Sequence, residues 1–563
     1  MPEYSVFETD VLVIGSGGGV PAALAASEAG ANVIIVDKGV FGKSGSTRSS
    51  FGMVAGRMVP PDNQDTFVED LIRGGSYLNN RRLVRIFVNE IARGVIYPGL
   101  EERGVTFDRD NGNLILKKPA GHSHPRCVMA TVYNALKIWK VLIPEALRRG
   151  VEVLDEVMVT TLLAHEGTVV GAAGIDIRTG EFLLFRAKTT ILAAGGAGQL
   201  YGVGKLSAVT TTPVRNTGDG FAMAYHRGAG LVDMEFIQYI PCNFVYPEPL
   251  RGINISEPAI FDGAKLYNVT GERFMKRYDA ERMEYATKDV LTRAIMREIR
   301  EGRGTQHGGV WMDLTHLPKK HTHYGYITEL AGFAGIDIGK EYVEVIPSVH
   351  YFMGGVAVNE KHESTVPGLY AVGEVAGGLH GANRIAGTSI AELIVFGLRA
   401  GRIVAERALQ TSRPKIDWEQ VGAEYSRVHE FLKPKKGETI RPYEIRKKIQ
   451  STMWENVGVI QNAHDLQNAL SAFDSISKRD VPRMAVTNDT RTWNLEWVEA
   501  LEVENMLDVA YMIARASLLR RETRGAIERE DYPQKDDINW LKNIYVQKES
   551  GQMKVIPKPV IME

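Results

Sequence analysis

One stretch near the start, DVLVIGSGGGVPAALAASEAGANVIIVDK (residues 10–38), leaves few folds open. A short apolar strand runs from Asp10 into a glycine cluster at Gly15, Gly17, Gly18 and Gly19. An alanine-rich helix follows, and a second apolar strand, Val33 to Val36, closes on Asp37. Strand, tight turn, helix and strand in this order read as a β-α-β unit whose first turn lets backbone approach a pyrophosphate. The helix N-terminus turns unpaired N–H groups and a partial positive charge toward the phosphates. An acid at the end of the second strand, here Asp37, can accept hydrogen bonds from a ribose hydroxyl. The third glycine of the G-x-G-x-x-G pattern is replaced by Val20, with Pro21 after it. Proline is tolerated in a first helical turn, but losing that glycine predicts slightly looser helix–strand packing. An ordinary buried β-α-β unit is the alternative from these residues alone.

At 563 residues the chain exceeds what one core supports, and two or three domains are expected. It is 44% hydrophobic and 24% charged with a net charge of −1, so electrostatics give no case for nucleic acid or an anionic membrane surface. No long uninterrupted apolar run is present, and no membrane span is predicted. Glu3, Glu8 and Asp10 stand where a signal peptide needs basic residues, which points to the cytoplasm. The two cysteines, Cys127 and Cys242, are too few for a four-cysteine cluster, so any iron–sulfur chemistry must lie on another chain. A disulfide is not expected in a reducing compartment.

After Lys38 the run GVFGKSGSTRSSFGMVAG (39–56) offers small hydroxyls, Ser44, Ser46 and Thr47 among them, suited to wrapping a polar cofactor or equally to a surface loop. Residues 64–150 read as helical. His122, His124 and Arg126 cluster in GHSHPRC, as phosphate or cofactor contacts or simply a turn. Residues 151–194 alternate as strands and end on a second glycine turn containing Ala194 and Gly195. Asp219, between glycines at a helix start, can hold a ribose hydroxyl or cap the helix. From 235 to 345 the pattern turns mixed, with helical runs expected at 272–282 and 289–300, and reads as an inserted domain. Dense glycine returns over 349–401, and beyond 405 the spacing is that of a helical bundle.

ILAAGGAGQLY, NTGDGFAMA, DMEFIQYIP, WMDLTHL, HYFMGG, GLYAVGEVAGGLHGANRIAGTSIAELIVFG and RRETRGAIEREDYP stand in one order along nearly the whole chain. Together with the opening turn they resemble the flavoproteins of succinate dehydrogenase, fumarate reductase and L-aspartate oxidase. The resemblance implies an α/β fold: a Rossmann-type FAD-binding domain (1–235 and 346–405), interrupted by an α+β capping domain (236–345). A helical domain (406–520) would follow; the last stretch, 521–563, is polar and contains proline, and reads on those grounds as an extended tail over the surface or toward a partner. Glu374 would contact the ribityl or ribose region of FAD and Ser389 the isoalloxazine side, with Asp37 and Asp219 on the adenosine half. Ser46 falls where succinate dehydrogenases carry a histidine bonded to FAD; a serine cannot make that bond, so FAD is expected to be non-covalent.

His350 and Arg384 match the family's carboxylate binders, and a guanidinium is a bidentate carboxylate clamp. The opposite end departs from the pattern. The family's Gln-(Phe/Tyr)-His-Pro-Thr reads Gln238-Tyr239-Ile240-Pro241-Cys242, its catalytic Arg-Asp reads Lys288-Asp289, and its TEG-x-R segment reads Ser256-Glu257-Pro258-Ala259-Ile260. Burying a carboxylate beside Ile240 without donors is costly. The implied substrate is a small carboxylate other than plain fumarate or succinate, with one end held by His350 and Arg384 and the other near Ile240, Ser256 and Glu257. The implied reaction is hydride exchange with flavin N5 across a C–C bond next to a carboxylate. His350 and Arg384 would polarise the carboxylate and Lys288 would move the proton. An iron–sulfur subunit is the expected electron partner, and membrane association would come only through partner subunits. An aspartate-oxidase-like enzyme, an adenylylsulfate-reductase-like flavoprotein and a non-catalytic relay subunit remain alternatives.

Overall fold

A computed structural model describes residues 4–48, 50, 53–129, 134–202, 210–255, 259–260, 262–317 and 322–562. Strands β1 (Tyr4–Ile14), β2 (Val33–Asp37), β3 (Glu152–Asp155), β4 (Val157–His165), β5 (Thr168–Asp176) and β6 (Phe182–Leu192) form one sheet. Its order is β3-β2-β1-β6-β5-β4, with the short strand Leu369–Ala371 also paired to β6. The β3, β2, β1, β6 and 369–371 pairings are parallel, while β5 and β4 return antiparallel. β2 is buried along its whole length, as a parallel strand covered on both faces must be. Five parallel strands therefore end together, at Asp155, Asp37, Ile14, Leu192 and Ala371, the crevice where open α/β sheets bind ligands.

Helix α1 (Gly19–Glu28) follows β1 and is buried through its first eight residues. The looser packing expected from Val20 is not found. Val20 is fully buried, and the close approach to the sheet is made one residue earlier, at Gly19, where a Cβ would lie 2.8 Å from Val13 Cγ1. On its other side α1 meets the long helix Thr388–Gln410 at Gly401, where a Cβ would sit 2.1 Å from the carbonyl of Ala22.

The mixed segment forms an antiparallel sheet of strands β7 (Ile237–Tyr246), β8 (Lys265–Tyr267), β9 (Val310–Asp313) and β10 (Val343–Phe352), in the order β7-β10-β9-β8. It packs with helix α2 (Lys288–Glu298) around its own core, which includes Phe244, Leu266, Ile295 and Val345. β10 runs through the expected boundary at 345/346, and its strand partners, β7 and β9, both belong to the cap sheet. Of the helix expected over 272–282, only Met275–Tyr278 forms. Residues 64–150 hold three longer helices, Gln64–Gly74, Arg81–Ala92 and Asn134–Arg148, but also short strands. The C-terminal helices Trp418–Glu430, Pro442–Asn456, Ala463–Ser475 and Leu495–Leu519 form the expected helical layer.

The expected extended tail is a correction. Lys542–Glu549 and Gln552–Pro559 pair as a β-hairpin, whose first strand joins Leu231–Val232 in a five-stranded sheet. The polarity that suggested an exposed tail is instead buried as ion pairs. Arg520 Nε donates to Glu235 Oε1 at 2.8 Å, and Arg524 Nε to Glu522 Oε1 at 2.6 Å, all four residues almost wholly inaccessible. Among the described residues, no helix is long and apolar enough to cross a membrane.

Candidate active site

At the carboxyl ends of the parallel strands lies an open cleft, walled by two glycine turns. Gly15, Gly17 and Gly18 line it at the start of α1, and Ala194 and Gly195 line it after β6. Gly15 has φ +100°, and a Cβ there would lie 2.4 Å from the carbonyl oxygen of Ala193; only glycine permits this approach of the two strand ends. Gly19 packs against β1 rather than lining the cleft.

Asp37, Lys38, Ser44, Ser46, Thr47 and Asp219 form one group of lining residues. Asp37 Oδ1 accepts from the Gly39 N–H at 2.9 Å, fixing the carboxylate at the end of β2. Lys38 Nζ donates to Asp219 Oδ2 at 2.5 Å, Thr217 Oγ1 at 2.8 Å and Glu502 Oε1 at 2.9 Å. Burial opposes the Lys38 charge, but the carboxylates of Asp219 and Glu502 outweigh it and hold the ammonium above its ordinary pKa. Asp219 Oδ1 also accepts from Asn505 Nδ2 at 2.9 Å. Lys38 thus ties the α/β domain to the helix Leu495–Leu519.

A second group contains Glu374, Ser389, His350 and Tyr351. Glu374 Oε1 accepts from the Phe352 N–H at 3.0 Å, and burial pushes its carboxyl up to about 7. His350 stands in a β-bulge. Gln238 pairs with Tyr351 and Tyr239 with Val349, which leaves His350 as the extra residue of β10. A bulge re-aims a side chain out of the ladder, and His350 faces the cleft. Burial, then the charges of Arg384 and Lys288, hold its imidazole well below the ordinary pKa, so it is neutral at pH 7.

Arg384, 4% exposed, lies behind this wall with its guanidinium carbon 4.8 Å from the Tyr351 ring centroid. Its Nη2 donates to Gln238 Oε1 at 2.8 Å, and Gln238 Nε2 donates back to the Arg384 carbonyl at 2.7 Å and to Asn383 Oδ1 at 2.9 Å. Asn383 Nδ2 reaches Asp289 Oδ1 at 3.3 Å, next to Lys288, which is itself buried at the start of α2. The structure therefore brings Lys288, His350 and Arg384 together. Ile240 pairs across β10 with Ser348, and Cys242 belongs to the cap core. Ser256 and Glu257 lie outside the described residues.

Sequence reasoning missed Gln238 and Asn383 as holders of Arg384, although both stand in the quoted blocks; their partner is visible only across β7. It also missed Thr211, whose Oγ1 lies 2.8 Å from His350 Nδ1. In GHSHPRC, His122 and Arg126 hold the fold together. Arg126 donates to Asp62 and Asp70, and the His122 ring hydrogen-bonds the Ala386 carbonyl through Nε2 at 2.8 Å.

Residues 10–390 match the family described as FAD binding domain, and residues 446–563 the one described as fumarate reductase flavoprotein C-term. The chain is 40% identical over 543 residues to one subunit of the fumarate reductase (CoM/CoB) of Methanothermobacter marburgensis, covering 94% of this chain and 96% of that protein. It is 31% identical over 583 residues to the succinate dehydrogenase flavoprotein subunit of Rickettsia conorii, covering 98% and 95%. A solved structure of Mycobacterium smegmatis Sdh1 in complex with UQ1 superposes with a TM-score of 0.89 at 32% identity, covering 99% of this chain and 96% of that one. The glycine-walled cleft, with Asp37 at a strand end and the α1 N-terminus beside it, fits the cofactor these matches indicate, FAD. The chain belongs to the succinate dehydrogenase and fumarate reductase flavoprotein family.

Proposed function

We propose that this protein interconverts a C–C single and double bond next to a carboxylate, on a small substrate seated between His350, Arg384 and Lys288. The observation that carries this is the convergence of those three residues beside the cleft, two of them cationic and one a neutral hydrogen-bond donor. Bound FAD supplies the two-electron chemistry by accepting or giving a hydride. Gly15, Gly17, Gly18, Asp37, Ala194, Gly195, Glu374 and Ser389 would hold it. Ser46 stands in for the linking histidine, so acid precipitation should release free FAD into the supernatant.

Arg384 grips the carboxylate and, with His350, stabilises negative charge developing beside it. Lys288 Nζ gives or takes the proton at the neighbouring carbon. The far end of the substrate meets Ile240 in place of the family's histidine, which favours a substrate that is mono-anionic or masked at that end. Plain fumarate is a second reading, favoured by the 40% identical relative that carries the name fumarate reductase. In this reading the electron partner is an iron–sulfur protein, as the family resemblance implies; Cys127 and Cys242 are both buried and too few to hold a cluster on this chain.

The test is anaerobic. The protein's flavin is reduced with dithionite, and its absorbance is followed on adding crotonate, monoesters of fumarate, and fumarate. Reoxidation fastest with a mono-anionic alkene supports the proposal. Fastest reoxidation by fumarate establishes the second reading, and no reoxidation by any alkene overturns both.

A further inference from the structure

We propose that the Thr211 hydroxyl sets the tautomer of His350, donating to Nδ1 so that the neutral ring carries its proton on Nε2. The inference deepens the reading above and rests on His350 being a carboxylate donor. Because His350 is neutral, it has a single N–H, and which nitrogen carries it decides whether it can donate into the site. Thr211 is fixed against the strand that bears His350. The Thr211 N–H donates to the Val349 carbonyl at 3.0 Å, and Thr210 forms a parallel bridge to Val349. Its Oγ1 then lies 2.8 Å from His350 Nδ1, against 3.4 Å from the Val349 carbonyl, so the ring nitrogen is the closer acceptor for the hydroxyl proton.

With Nδ1 accepting, Nε2–H is left to donate to a substrate carboxylate. The opposite tautomer would turn a lone pair on that carboxylate, converting attraction into repulsion. Thr211 acts through His350 and is a positioning residue. A triplet of threonines, Thr210 to Thr212, on the approach to Asp219 gives no sign of this, because the contact exists only where the loop crosses β10.

The experiment is ¹⁵N NMR of the imidazoles in the FAD-bound full chain, with the His350 signals assigned by their loss in His350→Gln. Wild type and Thr211→Ser are expected to show His350 protonated at Nε2, and Thr211→Val a mixture of tautomers. In parallel, kcat/KM for crotonate and for fumarate should fall about threefold to tenfold in Thr211→Val, the worth of one hydrogen bond, through both KM and kcat because His350 also faces the developing charge, and be restored in Thr211→Ser. Protonation at Nδ1 in the wild type, or an unchanged spectrum in Thr211→Val, overturns the proposal. If His350→Gln leaves KM unchanged, the carboxylate-donor reading fails instead, and the tautomer result separates the two failures.

Discussion

Arg384 Nη2 donates to Gln238 Oε1 at 2.8 Å, while Gln238 Nε2 donates to the Arg384 backbone carbonyl at 2.7 Å. One amide thus holds both ends of the residue assigned to the substrate carboxylate, and it belongs to the cap strand β7. Gln238→Leu removes both bonds at similar volume and leaves a buried guanidinium partly unpartnered. KM for a carboxylate substrate should rise about tenfold or more, since hydrogen bonds to charged groups are worth about 1.5–3 kcal/mol. FAD content should be unchanged, because Gln238 does not line the cleft. Steady-state kinetics with absorbance of the bound flavin checks both.

Lys288 opens α2 among residues that include Arg384 and His350, whose imidazole feels its charge. Lys288→Met keeps the stem and removes the proton donor. kcat should fall about 10²- to 10⁴-fold, the usual weight of general acid–base catalysis, with KM changed far less. Equal losses in kcat and kcat/KM would place Lys288 in the transition state, whereas a rise in KM alone would make it a binding residue.

Glu374 titrates where it affects folding. Its carboxyl is pushed up to about 7 when folded, by burial first, and returns to an ordinary 4.5 when unfolded. Between these values the folded state holds a proton that the unfolded state does not, so this contribution is present below 4.5 and lost as pH rises toward and through 7. The cofactor-free protein should lose about 3 kcal/mol from this group across that window. Glu374→Gln should flatten the loss; Tm measured against pH for both proteins tests it.

Much of this was legible in the sequence because it depends on local rules. The Asp10–Lys38 unit, with its glycine turn and closing acid, carries its geometry in spacing alone, and His350 and Arg384 stand in blocks that a single chain displays. What was illegible depends on distant pairing. The segment after 520 looked like a solvated tail because it is polar, yet Arg524 is buried, pairing with Glu522 and donating through Nη1 to the Ser76 carbonyl across 448 positions of sequence. The β-bulge that re-aims His350, and the looping of Thr211 onto it, follow from the register between β7 and β10, which no periodicity encodes.

The cap is tied down by one face of α2 and its continuation. Arg293 Nη1 donates to the Gly525 carbonyl at 2.6 Å, Arg297 pairs with Glu528, and Arg300 Nη2 pairs with Asp465 at 3.1 Å. The last two pairs are partly exposed and worth about 0–1 kcal/mol each. The double variant Arg297→Ala, Arg300→Ala should therefore fold and bind FAD, while backbone amides of residues 288–298 exchange hydrogen faster. Exchange unchanged in that helix would show that its apolar face alone holds the cap.

The most direct test of the carboxylate site compares wild type with Arg384→Gln in a single turnover. Both proteins are reduced anaerobically and mixed with the alkene that reoxidises the wild type fastest, then separately with air. The variant is predicted to lose reoxidation by the alkene at least about 30-fold, as expected for truncating a buried charge worth about 2–5 kcal/mol, while oxygen reoxidises both at the same rate. An Arg384→Gln protein that the alkene reoxidises as fast as wild type would contradict the assignment of the site.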